Sequence, residues 1–135
     1  MSDGSRSLDI VGRYSRNTGF ELEGPAPALV ALADLLEDSS EPSCRFAGVP
    51  RPAGPEPYEE LVDGLIVQRT GGPVRIEKDG ADLRLTGDPE RLHLLAENLR
   101  FLAADDGSDH LHLEYHPDHF FLDPSAEPLI LVRRE

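Results

Sequence analysis

The stretch LRLTGDPERLHLLAENL, residues 83–99, decides how the rest of the chain is read. It opens with Leu83 and Leu85 on either side of Arg84, the period-two alternation of a strand with one apolar face. Gly87 then breaks the run. Asp88-Pro89-Glu90 follows, giving an N-cap acceptor, a proline at the first helical position and an acid near the positive helix end. Leu92, Leu95, Ala96, Leu99, Leu102 and Ala103 recur at three- and four-residue steps. That spacing predicts an amphipathic helix, ended by the polar residues around Gly107.

The pattern occurs twice. Laying FELEGPAPALVALADLL, residues 20–36, over residues 83–99 without a gap puts Leu22 on Leu85, Gly24 on Gly87, Leu29 on Leu92, Leu32 on Leu95, Ala33 on Ala96 and Leu36 on Leu99. Both glycines read as turn residues between strand and helix. Pro25-Ala26-Pro27 offers no capping side chain, so the first helix is expected to be the shorter. The flanks correspond as well. LDIVGRYSRNTG and PVRIEKDGAD each read as a strand and a turn, a hairpin turn at Asp79-Gly80 and a looser one at Asn17 to Gly19. After the helices come CRFAG and LIVQR in the first copy, and DHLHLEYH and LILVRRE in the second.

The expected fold is therefore α+β, a tandem β-β-α-β-β repeat with two helices on one face of antiparallel sheet and pseudo-two-fold symmetry. The units span 8–70 and 74–135, joined at Gly71-Gly72-Pro73, within one compact domain, 1–135. Sixty-odd residues make a marginal unit alone, so each copy is expected to bury its helix face against the other. The Pro-rich stretch 49–57 then becomes a connection inside the first unit, with a short helical turn at Tyr58 to Val62, opposite the loop 117–128 in the second.

Charge narrows the function. Thirteen Lys and Arg face twenty-six Asp and Glu, a formal net charge of -13 over 135 residues. Each half carries about half of the excess, so it does not come from an acidic tail. Direct binding to nucleic acid or to an anionic membrane needs a basic surface and is excluded. Lys78 is the only lysine and limits amine chemistry to itself and the N-terminus. Cys44, the only cysteine, excludes an internal disulfide and reads as a buried small hydrophobe. MSDGSRSLDI has no signal-peptide apolar core, and no run approaches a membrane span, so a soluble cytoplasmic protein is expected. There is no G-x-S-x-G elbow, no P-loop and no G-x-G-x-x-G.

Four of the five histidines lie in HLHLEYHPDH, residues 110–119. On a strand, His110, His112, Glu114 and His116 share one face and Leu111, Leu113 and Tyr115 the other. Imidazoles and a carboxylate are metal-ligand types, but neighbours on that face stand about 6.5–7 Å apart. The set cannot converge on one ion without a partner from elsewhere. No metal or cofactor is assigned, and the face reads as a polar partner-binding surface. Asp105, Asp106 and Asp109 oppose the helix dipole just after the second helix, so they are not there for helix stability. With Asp118 they complete the candidate surface. Glu56, Glu59, Glu60 and Asp63 form a second acidic group near the Pro-rich loop.

The second half resembles a known family. The Gly87-Asp88-Pro89 helix start, the Leu-rich helix, the His-x-His-Leu-acid strand at His110 to Glu114 and the late Pro-Leu-Ile strand resemble immunity protein family thirty-two of bacterial polymorphic toxin systems, over residues 74–135. The first half departs from it, with CRFAG in place of the histidine strand. The resemblance implies a cytoplasmic, non-catalytic protein that neutralises a cognate toxin. An acidic protein also suits a basic cleft such as a nuclease's. The reading is an immunity protein that occludes a toxin's active site, monomeric or weakly dimeric. The alternatives are a metal-binding protein or metal-dependent enzyme built on the histidine strand, and an adaptor subunit of a bacterial defence or biosynthetic complex.

Overall fold

A computed structural model describes residues 7–38, 43–46, 60–104, 109–117 and 121–134. The stretch 49–57, Gly107 and the acids Asp105, Asp106 and Asp118 lie outside them. Along the chain come β1 (Ser7–Leu8), β2 (Val11–Ser15), β3 (Gly19–Pro25), α1 (Ala26–Glu37), β4 (Ser43–Phe46), β5 (Glu60–Val62) and β6 (Gly64–Arg69). The second half supplies β7 (Arg75–Asp79), β8 (Asp82–Gly87), α2 (Pro89–Ala104), β9 (His110–Leu113) and β10 (Leu129–Arg134).

The fold is α+β, with two five-stranded sheets ordered β1-β4-β6-β8-β7 and β5-β2-β3-β10-β9. Each sheet draws strands from both halves of the chain. The hairpin β2–β3 is extended by β10 and β9, and the hairpin β7–β8 by β6 and β4. The sheets are mixed, which corrects the antiparallel expectation. β10 runs parallel to β3, Leu129 opposite Phe20, and β6 runs parallel to β8, Leu65 opposite Leu83. The hairpin pairings and the outer pairs β10–β9 and β6–β4 are antiparallel. β1 and β5 add strands that the repeat did not foresee. β5 falls where a helical turn was expected at Tyr58 to Val62; Glu60–Val62 instead pairs antiparallel with β2.

The two helices start as the sequence indicated and differ as it indicated. Pro25 precedes α1 without a side-chain cap, and that helix has 12 residues. Asp88 caps α2, its Oδ1 accepting the Arg91 N–H at 2.8 Å, and that helix has 16. Both bury the anticipated stripe: Leu29, Leu32, Ala33 and Leu36 on α1, and Leu92, Leu95, Ala96 and Leu99 on α2. The most extensive contact between elements is α1 with α2. One cluster joins these helices to Phe20, Leu22, Leu65, Val67, Ile76, Leu83, Leu85, Leu113, Leu129 and Leu131. Each fully buried Leu or Ile in it stabilises the fold by roughly 1.5–3 kcal/mol. No helix among the described residues is long and apolar enough to cross a membrane.

Gly24 and Gly87 are not turn residues. They lie in strands β3 and β8, and neither has the positive φ of Gly19 and Gly80, which open β3 and close the β7–β8 turn. What both require is a close neighbour. A Cβ on Gly24 would stand 2.8 Å from the Asp9 carbonyl oxygen, and one on Gly87 would stand 3.1 Å from Val74 Cα.

Candidate partner-binding face

β9 is the outermost strand of its sheet, and its neighbour is β10. Ladder pairs set His112 opposite Ile130 and His110 opposite Val132, with Leu111 and Leu113 opposite Leu131 and Leu129. Leu113 is buried and Leu111 packs against the core, while His110 and His112 are exposed. The alternation read from HLHL is the one observed. Paired residues share a sheet face, so the row from His112 runs through Ile130 and Glu21 to Arg13, and that from His110 through Val132 to Glu23. Arg13 bridges the two acids, 2.7 Å from Glu21 and 3.0 Å from Glu23. These neighbours went unread in the sequence. The alternation in FELEG puts Glu21 and Glu23 on one face, but only the β3–β10 register brings them towards the histidines.

The four-residue face proposed for one strand is shorter than expected. β9 ends at Leu113, and Glu114 and His116 are exposed but lie beyond the ladder. Pro128 explains the end: it has no N–H to continue the ladder, and its carbonyl is taken by the Phe20 N–H at 2.8 Å. A shallow depression of about 220 Å³ opens here, with His112, Glu114, Asn17, Thr18, Pro128 and Ile130 in its lining. At the other end of β9, the Asp109 carbonyl accepts the Arg133 N–H at 2.8 Å, and the Asp109 carboxylate lies 3.1 Å from His110 Nδ1. The His110 imidazole holds that carboxyl below its usual range, with help from the charge of Arg133. Of the eight candidate residues, Asp109, His110, His112, Glu114 and His116 thus follow one another along an exposed sheet margin.

A second polar cluster lies on the helix pair, where no site was anticipated. Arg100 on α2 reaches Asp34 at 2.8 Å, Glu37 at 2.7 Å and Glu97 at 3.2 Å. His93 Nδ1 contacts Glu37 Oε2. The Arg100 guanidinium, with His93 adding to it, lowers the Glu37 carboxyl to about 2. Among the described residues, Glu37, His93 and Glu97 form the one group of three metal-ligand side chains whose donor atoms lie within 4.8 Å of one another. The histidine strand assembles no such group among them. Lys78 stands 3.4 Å from Glu60 and 5.6 Å from the Tyr14 ring centroid, so the only lysine is ion-paired. Cys44 on β4 is buried, as expected.

No curated protein and no solved structure matches the chain. Residues 82–134, from the first residue of β8 to the last of β10 and including the whole of β9, match the model of the family Immunity protein 32.

Proposed function

We propose that the protein is an immunity protein: it binds a cognate toxin in the cytoplasm and neutralises it by covering its active site, with no catalysis of its own. The match of residues 82–134 to Immunity protein 32 carries this reading. The contact surface proposed is the β9 margin: Asp109, His110, His112, Glu114 and His116, flanked in sequence by Asp105, Asp106 and Asp118. Two observations support that choice. The margin lies inside the matched segment, and its polar side chains are exposed, those of His110 and His112 on an outermost strand and the others at its two ends. The net charge of -13 fits a toxin with a basic cleft, a nuclease for instance, because opposite charge speeds encounter and aligns the partners.

The test is a search of the neighbouring genes for a toxin domain, followed by a neutralisation and binding assay of this chain against it. A one-to-one complex that abolishes toxin activity is expected, with association slowing as salt rises. Asp109→Lys with Glu114→Lys should lower the association rate on the order of tenfold, and His110→Ala with His112→Ala should speed dissociation. Full affinity in both double variants would show that the surface is misplaced. Failure of the wild-type chain to bind or protect would overturn the immunity reading itself.

A further inference from the structure

Glu37 is the last residue of α1, and His93 and Glu97 stand four residues apart on α2. That spacing puts the latter two on one helix face, one turn from each other. The helix contact brings Glu37 up to them, and the three donor atoms lie within 4.8 Å of one another. In a tetrahedral site with bonds of about 2.1 Å the donors stand about 3.4 Å apart. Rotamer adjustment of three exposed side chains covers the difference.

Arg100 and a neighbouring cavity shape the site. Arg100 occupies Oε1 of Glu37 and contacts Glu97, which leaves Oε2 of Glu37 turned to the His93 imidazole. An outer group that fixes a ligand carboxylate in this way orients it for a metal. A cavity of about 230 Å³ borders Glu37 and His93, walled by Leu36, Arg69 and Pro89. It leaves space for a water or an outside ligand at a fourth position. The histidines of β9 offer less: the ring centroids of His110 and His112 lie 5.5 Å apart, and among the described residues they join no group of three donor atoms that all lie within 4.8 Å of one another.

We propose that Glu37, His93 and Glu97 form a binding site for one divalent transition-metal ion of the zinc class, joining α1 to α2. One imidazole and two carboxylates are a donor set that zinc accepts, with an open position left over. The proposal does not depend on the immunity reading, since binding is measured on the isolated chain.

The test is calorimetric titration of zinc chloride into the full chain, untagged and freed of metal by chelation, followed by thermal melts. One ion per chain should bind, and the melting midpoint should rise by about 5–10 °C at a hundredfold excess over Kd. His93→Ala and Glu97→Gln should each weaken binding on the order of tenfold or more, with circular dichroism showing the helices kept. His110→Ala with His112→Ala should leave affinity and stoichiometry unchanged. Absence of saturable binding, or binding that survives His93→Ala but fails in the β9 double variant, would overturn the proposal.

Discussion

Gly24 and Gly87 occupy aligned positions in the two halves, yet alanine should affect them unequally. At Gly24 the new Cβ would meet the Asp9 carbonyl oxygen at 2.8 Å and Ile10 Cδ1 at 2.7 Å. The Ile10 methyl is the end of a flexible side chain and can swing away. The Asp9 oxygen is backbone, in a segment held by the Ile10 N–H on Leu8 O at 2.8 Å and by Arg134 on the Asp9 carboxylate at 2.9 Å. Relief needs a backbone shift of roughly half an ångström, the kind of overpacking that costs about 1–3 kcal/mol. At Gly87 the nearest atoms are Val74 Cα and Cγ2, both at 3.1 Å, so a few tenths of an ångström suffice. Neither glycine has a positive φ, so alanine also removes unfolded-state entropy, a gain of about 0.4–1 kcal/mol. The net expectation is a loss of about 1–2 kcal/mol for Gly24→Ala and of about 0–1 kcal/mol for Gly87→Ala. Urea unfolding with unchanged slope reads both; at about 1.5 kcal/mol per molar the first midpoint falls by about 1 M. A Gly87→Ala loss equal to or larger than that of Gly24→Ala would refute the close-approach account.

Two further outcomes follow from the helix clamp and the strand exchange. Glu37 is depressed from 4.5 to about 2, so its contribution is complete above pH 4.5 and is lost as pH falls towards 2. Its partners are partly exposed, so solvent screening reduces that contribution to about 1 kcal/mol. Arg100→Ala should remove most of this acid dependence, and 0.5 M salt should mimic the variant in part; an unchanged stability profile between pH 5 and 2 would show the clamp to be idle. Residues 74–135 made alone should show no cooperative monomeric unfolding, and co-expression with residues 1–70 should restore it. A fragment that melts cooperatively as a monomer would contradict the dependence of β8 on β6 and of β10 on β3.

Local elements were legible because their causes are local. Alternation in LRL and HLHL, the Asp88-Pro89 start and the leucine stripes each act within a few residues. Pairing partners were not legible, because the parallel contact of Leu129 with Phe20 joins residues more than a hundred positions apart. Tertiary pairing also overrode local reading at Glu60–Val62, where contact with β2 holds the backbone extended. The exposed histidines of β9 followed from alternation, and the strand's early end from Pro128, whose lack of an N–H was visible but whose position opposite the strand was not. The Glu37–His93 contact spans 56 positions and two helices, so no spacing rule could find it.

The topology also limits how the matched segment can work. Within residues 82–134, β9 is held in its sheet by β10, and the other neighbour of β10 is β3 from the first half. β8 likewise sits between β7 and β6, both outside the segment. The histidine margin therefore keeps its backbone geometry through a chain of ladders that starts in the first half, although the first half lacks the histidine strand. On the proposed reading, the first half has no need to carry recognition residues of its own. Its β3 supplies the parallel register for β10, and α1 covers the leucine face of α2. Divergence of its loops from the family pattern is then compatible with retained binding, provided Phe20 and Leu22 on β3 and the buried stripe of α1 remain apolar and the Gly24 approach remains open.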